Sequence, residues 1–166
     1  MTASISDAPV RRTLVVNASV EDAFEVFTDE IDTWWPRSHH IGRTDMTRIA
    51  IEGRPNGRCF TQHTDGSEYD WGRVLVWEPP GHLVLAWQVT HGWAHQPDLS
   101  KCSEIEVHFL SLGRETTRVE LEHRFFDRAG IGGDAMRAAV DAPNGWNKVL
   151  GQYSDHITTS HGGQLA

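Results

Sequence analysis

The clearest pattern in this chain is an alternation of apolar and polar residues in its second half. In the segment 103–111, apolar residues occupy positions 105, 107 and 109, and Glu or His separates them. The segment 116–126 repeats the pattern and places Leu121, His123 and Phe125 on one face. A period of two predicts antiparallel strands that bury one face and leave the other in water. His123 is therefore predicted to lie on the buried face.

Shorter runs of β-branched and aromatic residues between turn residues predict the remaining strands. These runs cover 10–16, 46–51, 58–63, 69–77 and 83–89. The last two form a hairpin that turns at the Pro-Pro-Gly sequence of residues 79–81 and carries three of the seven tryptophans. Such a hairpin can form one wall of an apolar pocket.

The strand 69–77 does not alternate cleanly. Strict alternation places Arg73 on the same face as Trp71, while Val74 and Val76 make the opposite face apolar as well. Either a β-bulge switches the faces within the strand, or both faces are covered. The sequence leaves open which face is turned inward.

Helical spacing occurs near both ends of the chain. Ser19, followed by acidic residues, predicts an N-cap, and the apolar residues of 23–27 recur at helical spacing behind it. The segment 29–35 predicts a second short helix that Pro36 ends. A longer amphipathic helix is predicted over the last part of the chain, and its apolar stripe contains Trp146, Val149, Leu150, Tyr153 and Ile157.

Together these elements predict an α+β fold. We expect a curved antiparallel sheet of about seven strands, wrapped around a long C-terminal helix, with one or two short helices after the first strand. The length of 166 residues favours a single domain, which we place at 10–160. Residues 1–9 and 161–166 are predicted to be flexible tails.

The composition argues against several classes of protein. No apolar run approaches the roughly 20 residues that a membrane-spanning helix requires, so we expect no membrane insertion. The net charge of −8, from 23 acidic and 15 basic residues, opposes phosphate binding and argues against nucleic acid as a partner. The first residues lack the apolar core of a signal peptide, which predicts a cytoplasmic protein.

The order and spacing of several short motifs resemble one protein superfamily. In chain order, the residues that carry the resemblance are 18–24, Trp34-Trp35, Gly57-Arg58, 65–68, 71–74, 77–80, 83–87, 117–119, Gly145-Trp146 and Val149-Leu150. They resemble the START-like or SRPBCC superfamily, and within it the bacterial homologues of the activator of heat-shock-protein ATPase. The match covers nearly the whole chain.

The resemblance implies the helix-grip fold of START-like proteins, in which the sheet closes over the C-terminal helix and leaves a cavity. Members of the superfamily bind lipids, sterols, polyketides or plant hormones, and a few catalyse cyclisation or dehydration. The family's name comes from co-chaperone domains, whereas this chain has the single-domain form.

The aromatic residues are the first candidates for such a cavity, because small-molecule sites are mostly apolar with a few polar groups. Filling of the core is the alternative for each of them. His123 is included because its strand places it beside apolar residues, and His39 because it follows a tryptophan in a loop. The predicted ligand-binding residues are Trp35, His39, Phe60, Trp71, Trp87, His123 and Trp146.

The sequence predicts neither a metal nor a cofactor. The ten histidines include no HExxH motif, and the two cysteines, Cys59 and Cys102, form no CxxC pair. Glu68 and Asp70 share one strand face, and they are interpreted as members of a surface ion-pair ladder rather than as a proton-transfer pair. No catalytic residue is assigned.

Three functions remain open at this stage. The leading hypothesis is a protein that binds a small apolar molecule between the sheet and the C-terminal helix. The second is a cyclase or dehydratase that uses the same cavity, with His123 and a carboxylate as acid and base. The third is a protein-interaction module that contacts a chaperone. A homodimer is compatible with any of them.

Overall fold

The computed structural model describes residues 8–160. Except for Ala8 and Pro9, the two predicted tails, 1–9 and 161–166, lie outside the described residues. Among residues 8–160, no helix is both long enough and apolar enough to cross a bilayer.

Seven antiparallel strands form one sheet, as the alternation predicts. The strands are β1 (Val10–Val16), β2 (Met46–Ile51), β3 (Arg58–His63), β4 (Glu68–Glu78), β5 (His82–Trp87), β6 (Ser103–Gly113) and β7 (Thr116–Arg124). Their order in the sheet is β1-β7-β6-β5-β4-β3-β2. Strands β2 to β7 are therefore a meander, and the first strand completes the sheet by pairing with the last.

Three α-helices accompany the sheet. They are α1 (Val20–Thr28), α2 (Gly133–Asp141) and α3 (Lys148–Ser160). The predicted cap of α1 is present, because Ser19 Oγ accepts a hydrogen bond of 3.1 Å from the backbone N–H of Asp22. The predicted second helix is a single 3₁₀ turn, Ile31–Thr33, and two more 3₁₀ segments occupy Leu99–Lys101 and Phe126–Gly132.

The C-terminal helix begins later than its apolar stripe suggests. Trp146 belongs to a wide turn, Pro143–Asn147, that joins α2 to α3. Gly145 makes this turn possible, because a Cβ atom there would lie 2.2 Å from the carbonyl oxygen of Val140. The turn holds Trp146 against the sheet at the start of α3.

Helix α3 packs its apolar stripe on the concave face of the sheet. Tyr153 and Ile157 are fully buried, and the Tyr153 hydroxyl donates a 2.7 Å hydrogen bond to the carbonyl oxygen of Ala23. Phe27 meets both Tyr153 and Phe109 edge to face, with ring centroids 5.2 and 5.6 Å apart. These contacts fill one end of the space between helix and sheet with aromatic side chains. The observed arrangement is the helix-grip fold.

Two β-bulges in β4 resolve its mixed pattern. The pairing of β4 with β3 skips Trp71, and its pairing with β5 skips Leu75. Each extra residue moves the following side chains to the other face of the sheet. Trp71, Val74 and Trp77 consequently all join the core side at intervals of three residues. Of the two alternatives, the bulge is the correct one.

The convex face of the sheet carries an ion-pair ladder. Arg58 pairs with Glu68 at 3.1 Å and with Asp70 at 2.7 Å, as expected for these two acids. Arg124 contacts Glu104 and Glu106 on the neighbouring β6 and Glu122 on its own strand. These acids are thus paired with arginines outside the core, which agrees with the cost of burying an unpaired charge.

The bulge at Trp71 depends on a small residue beside it. A Cβ atom on Gly72 would lie 2.7 Å from the carbonyl oxygen of Ala86 on β5. We expect Gly72→Ala to lower the free energy of unfolding by about 1–3 kcal/mol, because the backbone must shift to accommodate the methyl group. Urea denaturation measures the change.

Gly151→Ala is the matched control for this substitution. Gly151 lies in α3 and a Cβ atom there meets nothing within 4 Å. We expect this variant to raise the free energy of unfolding by about 0.5–1 kcal/mol, because alanine favours the helix. Equal effects of both substitutions would contradict the role given to Gly72.

Candidate functional site

A pocket of about 500 Å³ opens at the end of the fold that the aromatic core does not fill. Its walls come from the sheet, from the loop that follows Trp35, and from α2 with the turn before α3. Most of the residues around it are apolar. The lining residues are Trp35, Ser38, His39, His40, Ile41, Ile49, Thr61, Trp71, Trp87, Val89, Trp93, Ala139, Val140, Asn144, Gly145, Trp146 and Val149.

Four indole rings, here called the tryptophan quartet, form a closed set of contacts in this pocket. Trp35 stacks on Trp71 with the ring planes 18° apart and the centroids separated by 5.7 Å. Trp87 lies 6.0 Å from Trp71 and 6.5 Å from Trp146, and Trp146 meets the edge of Trp35 at 6.5 Å. Each ring therefore contacts two others, which fixes their orientation. All four tryptophans are among the ligand-binding residues predicted from the sequence.

A hydrogen bond to His123 fixes the Trp146 ring on the side that faces away from the pocket. The Trp146 indole N–H donates to His123 Nδ1 at 3.1 Å, and His123 Nε2 lies 2.8 Å from Ser103 Oγ. Indole is only a donor, so Nδ1 must be the unprotonated nitrogen and Nε2–H must donate to the serine. Complete burial lowers the pKa of His123 to about 3 and keeps the ring neutral.

His123 therefore does not lie on the pocket wall. Alternation placed it correctly on the concave face of the sheet, but Trp146 from the following turn lies between its ring and the pocket. Its neutral ring acts as a hydrogen-bond acceptor for Trp146. Local sequence patterns do not reveal this layer, because Trp146 and His123 belong to different elements.

Phe60 lies on the opposite face of the sheet from the pocket. Its neighbours Cys59 and Thr61 point to the concave side, and Thr61 lines the pocket in its place. The Phe60 ring is covered by the Arg58 guanidinium, 4.3 Å from the ring centroid. Phe60 is buried by this cation–π contact rather than by a cavity.

His39 joins the two sides of the pocket mouth. Its Nε2 lies 2.7 Å from the carbonyl oxygen of Asn144, which accepts the bond, and its Nδ1 lies 3.0 Å from Ser38 Oγ. The His39 carbonyl in turn accepts the indole N–H of Trp35 at 2.8 Å. The loop after Trp35 is thereby attached both to the quartet and to the turn before α3.

His40, the second histidine on the pocket wall, packs against a buried polar group that contains Thr61 and His63. Thr61 Oγ1 lies 2.7 Å from His63 Nε2, while His63 Nδ1 donates to the carbonyl of Thr44 at 2.8 Å. The His40 ring meets His63 edge to face at 5.0 Å. Burial, and after it the charge of a protonated His63, lower the pKa of His40. His40 is thus favoured in its neutral form.

No carboxylate is among the residues that line the pocket within the described part of the chain. Its polar groups are a serine, a threonine, an asparagine and two histidines. Ser38, Thr61, Trp93 and Asn144 were not predicted, because none of them stands out in a periodic segment, whereas His40 is a weaker alternative to His39 at the pocket mouth on the sequence alone. An apolar aromatic surface with a few hydrogen-bonding groups suits an uncharged or weakly polar ligand.

Comparison with known proteins agrees with this fold. A family model, Activator of Hsp90 ATPase homolog 1-like protein, matches residues 17–156. The chain therefore belongs to this family of START-like proteins, as the motifs of the sequence suggest. No curated protein matches the chain.

Several solved structures share the fold. The anthrahydroquino-γ-pyrone synthase Txn09 is 38% identical, with a TM-score of 0.66, over 93% of this chain and 100% of its own. CalC from Micromonospora echinospora, a self-sacrificing resistance protein, is 27% identical, with a TM-score of 0.64 over 93% of this chain and 96% of its own. DynU16, from the dynemicin biosynthetic locus, is 18% identical (TM-score 0.61) over 91% of this chain and 47% of its own, and shows the fold alone.

The buried neutral state of His123 predicts a pH dependence of stability. The unfolded histidine binds a proton near pH 6.5, whereas the folded one binds it only near pH 3. Between these values the unfolded state holds the extra proton, so stability falls by about 1.4 kcal/mol for each pH unit below 6.5. Urea unfolding at pH 7.5, 5.5 and 4.5 measures this loss.

We expect His123→Asn to flatten that dependence, because asparagine does not titrate and its amide oxygen can still accept from Trp146. His156→Gln, on the outer part of α3, is the control and should keep the wild-type slope. A slope unchanged in His123→Asn would show that His123 is not the group responsible.

Proposed function

We propose that this protein binds a planar, largely aromatic small molecule against the tryptophan quartet. The observation that carries the proposal is the closed set of four indoles on the wall of an open pocket of about 500 Å³. Flat π surfaces favour stacked or edge-on aromatic partners, with ring centroids about 4.5–7 Å apart. The volume lies within the usual range of small-molecule sites, about 300–1,000 Å³.

The fixed geometry of the quartet supports binding over simple core filling. Trp35 and Trp146 are held by hydrogen bonds from their indole N–H groups to His39 and His123. A rigid aromatic wall loses little conformational freedom when a ligand binds, which favours affinity. A core that only needed to be filled would not require a pocket in front of these rings.

The similar structures support an aromatic ligand. Txn09 is named as a synthase of an anthrahydroquino-γ-pyrone, and its full length is covered at 38% identity. Similarity of fold alone does not transfer a substrate, so the ligand class rests on the quartet and the relative together. A protein-interaction module, the third hypothesis, receives less support, because an open apolar pocket favours the two ligand-based hypotheses.

Ala139 provides a direct test of this pocket. It is half-buried on α2 and lines the pocket, while the adjacent Ala138 is exposed on the same helix and does not line it. We expect Ala139→Trp to weaken binding of 1,8-dihydroxyanthraquinone by about tenfold or more, because the new indole occupies ligand space. Quenching of tryptophan fluorescence in a titration measures the affinity.

Ala138→Trp is the matched control, since it adds the same side chain outside the pocket. We expect it to keep the wild-type affinity. Native mass spectrometry should show one bound probe per chain, and a saturated fatty acid should bind less tightly. If the probe does not bind, or if both tryptophan variants behave alike, the proposed function is wrong.

A second candidate function is ring closure on the bound molecule. The observation that favours it is the 38% identity to a synthase over that protein's whole length. The acid–base pair suggested by the sequence, His123 with a carboxylate, does not fit, because His123 is covered by Trp146 and no carboxylate among residues 8–160 lines the pocket. The ionisable groups on the wall are His39 and His40.

An assay of whether this protein converts the substrate of Txn09 separates catalysis from binding. If the protein closes a ring, replacing both His39 and His40 by Gln should slow conversion by about 100-fold, the usual contribution of a proton-transfer group. Analysis of the recovered ligand by mass spectrometry and chromatography measures the conversion. Recovery of unchanged ligand from wild-type protein would leave binding as the function.

A further inference from the structure

We propose that His82, Glu106 and His108 form a binding site for a divalent transition-metal ion on the convex face of the sheet. The three residues lie on the opposite side of the sheet from the pocket, and the site is independent of the proposed function. The sequence predicts no metal, because its ten histidines include no HExxH motif.

The register of the sheet brings the three ligands together. His82 on β5 pairs directly with His108 on β6, and Glu106 precedes His108 by two residues on the same face. Glu106 Oε2 lies 2.6 Å from His82 Nε2 and 3.3 Å from His108 Nε2. All three ligand atoms lie within 4.8 Å of one another.

One of these distances is that of a metal site, and the 2.6 Å hydrogen bond between His82 and Glu106 must lengthen when an ion enters. Ligand atoms at about 2.0–2.2 Å from a tetrahedral ion are about 3.4 Å apart, which the Glu106–His108 separation already matches. The two imidazole rings are stacked, with centroids 4.5 Å apart and planes within 6°. They must splay so that both Nε2 lone pairs converge on the ion. The partial exposure of both side chains leaves room for this rotation and for a water ligand.

The surrounding groups orient the ligands as they do in known metal sites. Glu78 Oε1 lies 2.7 Å from His82 Nδ1, so this nitrogen donates to the carboxylate and Nε2 faces Glu106. Metal-binding histidines commonly donate their second N–H to a carboxylate in this way. Arg124 binds the other oxygen of Glu106 and fixes the direction of that carboxylate.

The donor set selects the class of ion. Two imidazoles and one carboxylate suit Zn²⁺, Ni²⁺ or Cu²⁺, whereas Mg²⁺ prefers oxygen ligands alone.

Binding requires His82 and His108 to be unprotonated, and the groups around His82 are Glu78, Glu106, His108 and Arg124. Without an ion, His82 Nε2 lies 2.6 Å from a Glu106 oxygen, which can only accept a hydrogen bond, so this nitrogen carries a proton. The metal must displace that proton, so affinity should increase from pH 6 to pH 8.

Calorimetric titration of the full chain with ZnCl₂ at pH 7.5 tests the site, with any affinity tag removed and MgCl₂ as the control ion. We expect one Zn²⁺ per chain and no binding of Mg²⁺. His82→Ala and His108→Ala should each lower the Zn²⁺ affinity by about tenfold or more, as expected for loss of one ligand. His156→Ala removes a histidine from α3 and should leave the affinity unchanged.

Chemical shifts of the histidine ring protons provide a second measurement. Zn²⁺ should shift the His82 and His108 resonances first. Failure to bind Zn²⁺, or equal binding by the His82, His108 and His156 variants, would overturn the proposal. The thermal melting of each variant without metal is recorded alongside, so that a loss of binding is not confused with a loss of folding.

Discussion

The two bulges in β4 are the constraint on which the rest of the structure depends. A regular strand would place Trp71 and Val74 on opposite faces, because side chains alternate. The bulges instead bring Trp71, Val74 and Trp77 to the concave side at three-residue intervals. Bulges also bend a strand and increase its twist. One strand therefore supplies both the curvature that receives α3 and aromatic surface at each end of the concave face.

The division of the concave face into two ends follows from this arrangement. At one end, Trp77 meets Phe24 edge to face at 5.1 Å, and the aromatic core continues through Phe27 and Tyr153. At the other end, Trp71 belongs to the quartet, and Asn144, Gly145 and Trp146 of the wide turn before α3 line the pocket. The first end stabilises the fold through packing, and the second leaves the space in which a ligand can bind.

Much of the fold could be predicted from the sequence, because strands β6 and β7 alternate and α3 has a buried stripe. The irregular parts could not. Alternation cannot distinguish a bulge at Trp71 from a strand covered on both faces, since both give the same apolar pattern. The strand of Phe60 carries Cys59, Thr61 and His63 on its concave face, so its one large apolar side chain suggested the wrong side.

Candidate sites were harder to predict than the elements that carry them. The quartet was identifiable, because large aromatic residues in a predicted sheet and helix must meet in a small domain. The shielding of His123 depends on a turn whose path the sequence does not specify. The link from His39 to Asn144 and the pair of His82 with His108 both depend on tertiary contacts or strand register, which local patterns do not encode.

The pairing of β1 with β7 has a consequence for the order in which the protein folds. Val16 lies opposite Thr117, so the first strand gains its neighbour in the sheet only after the meander β2 to β6 has been synthesised. The segments that line the helix side of the pocket, α2 and the turn with Trp146, follow later still. Helix α1 precedes the meander and can cover the Trp77 end of its apolar face early, because Phe24 packs there. The Trp71 end has no such early cover and stays exposed until the later segments arrive.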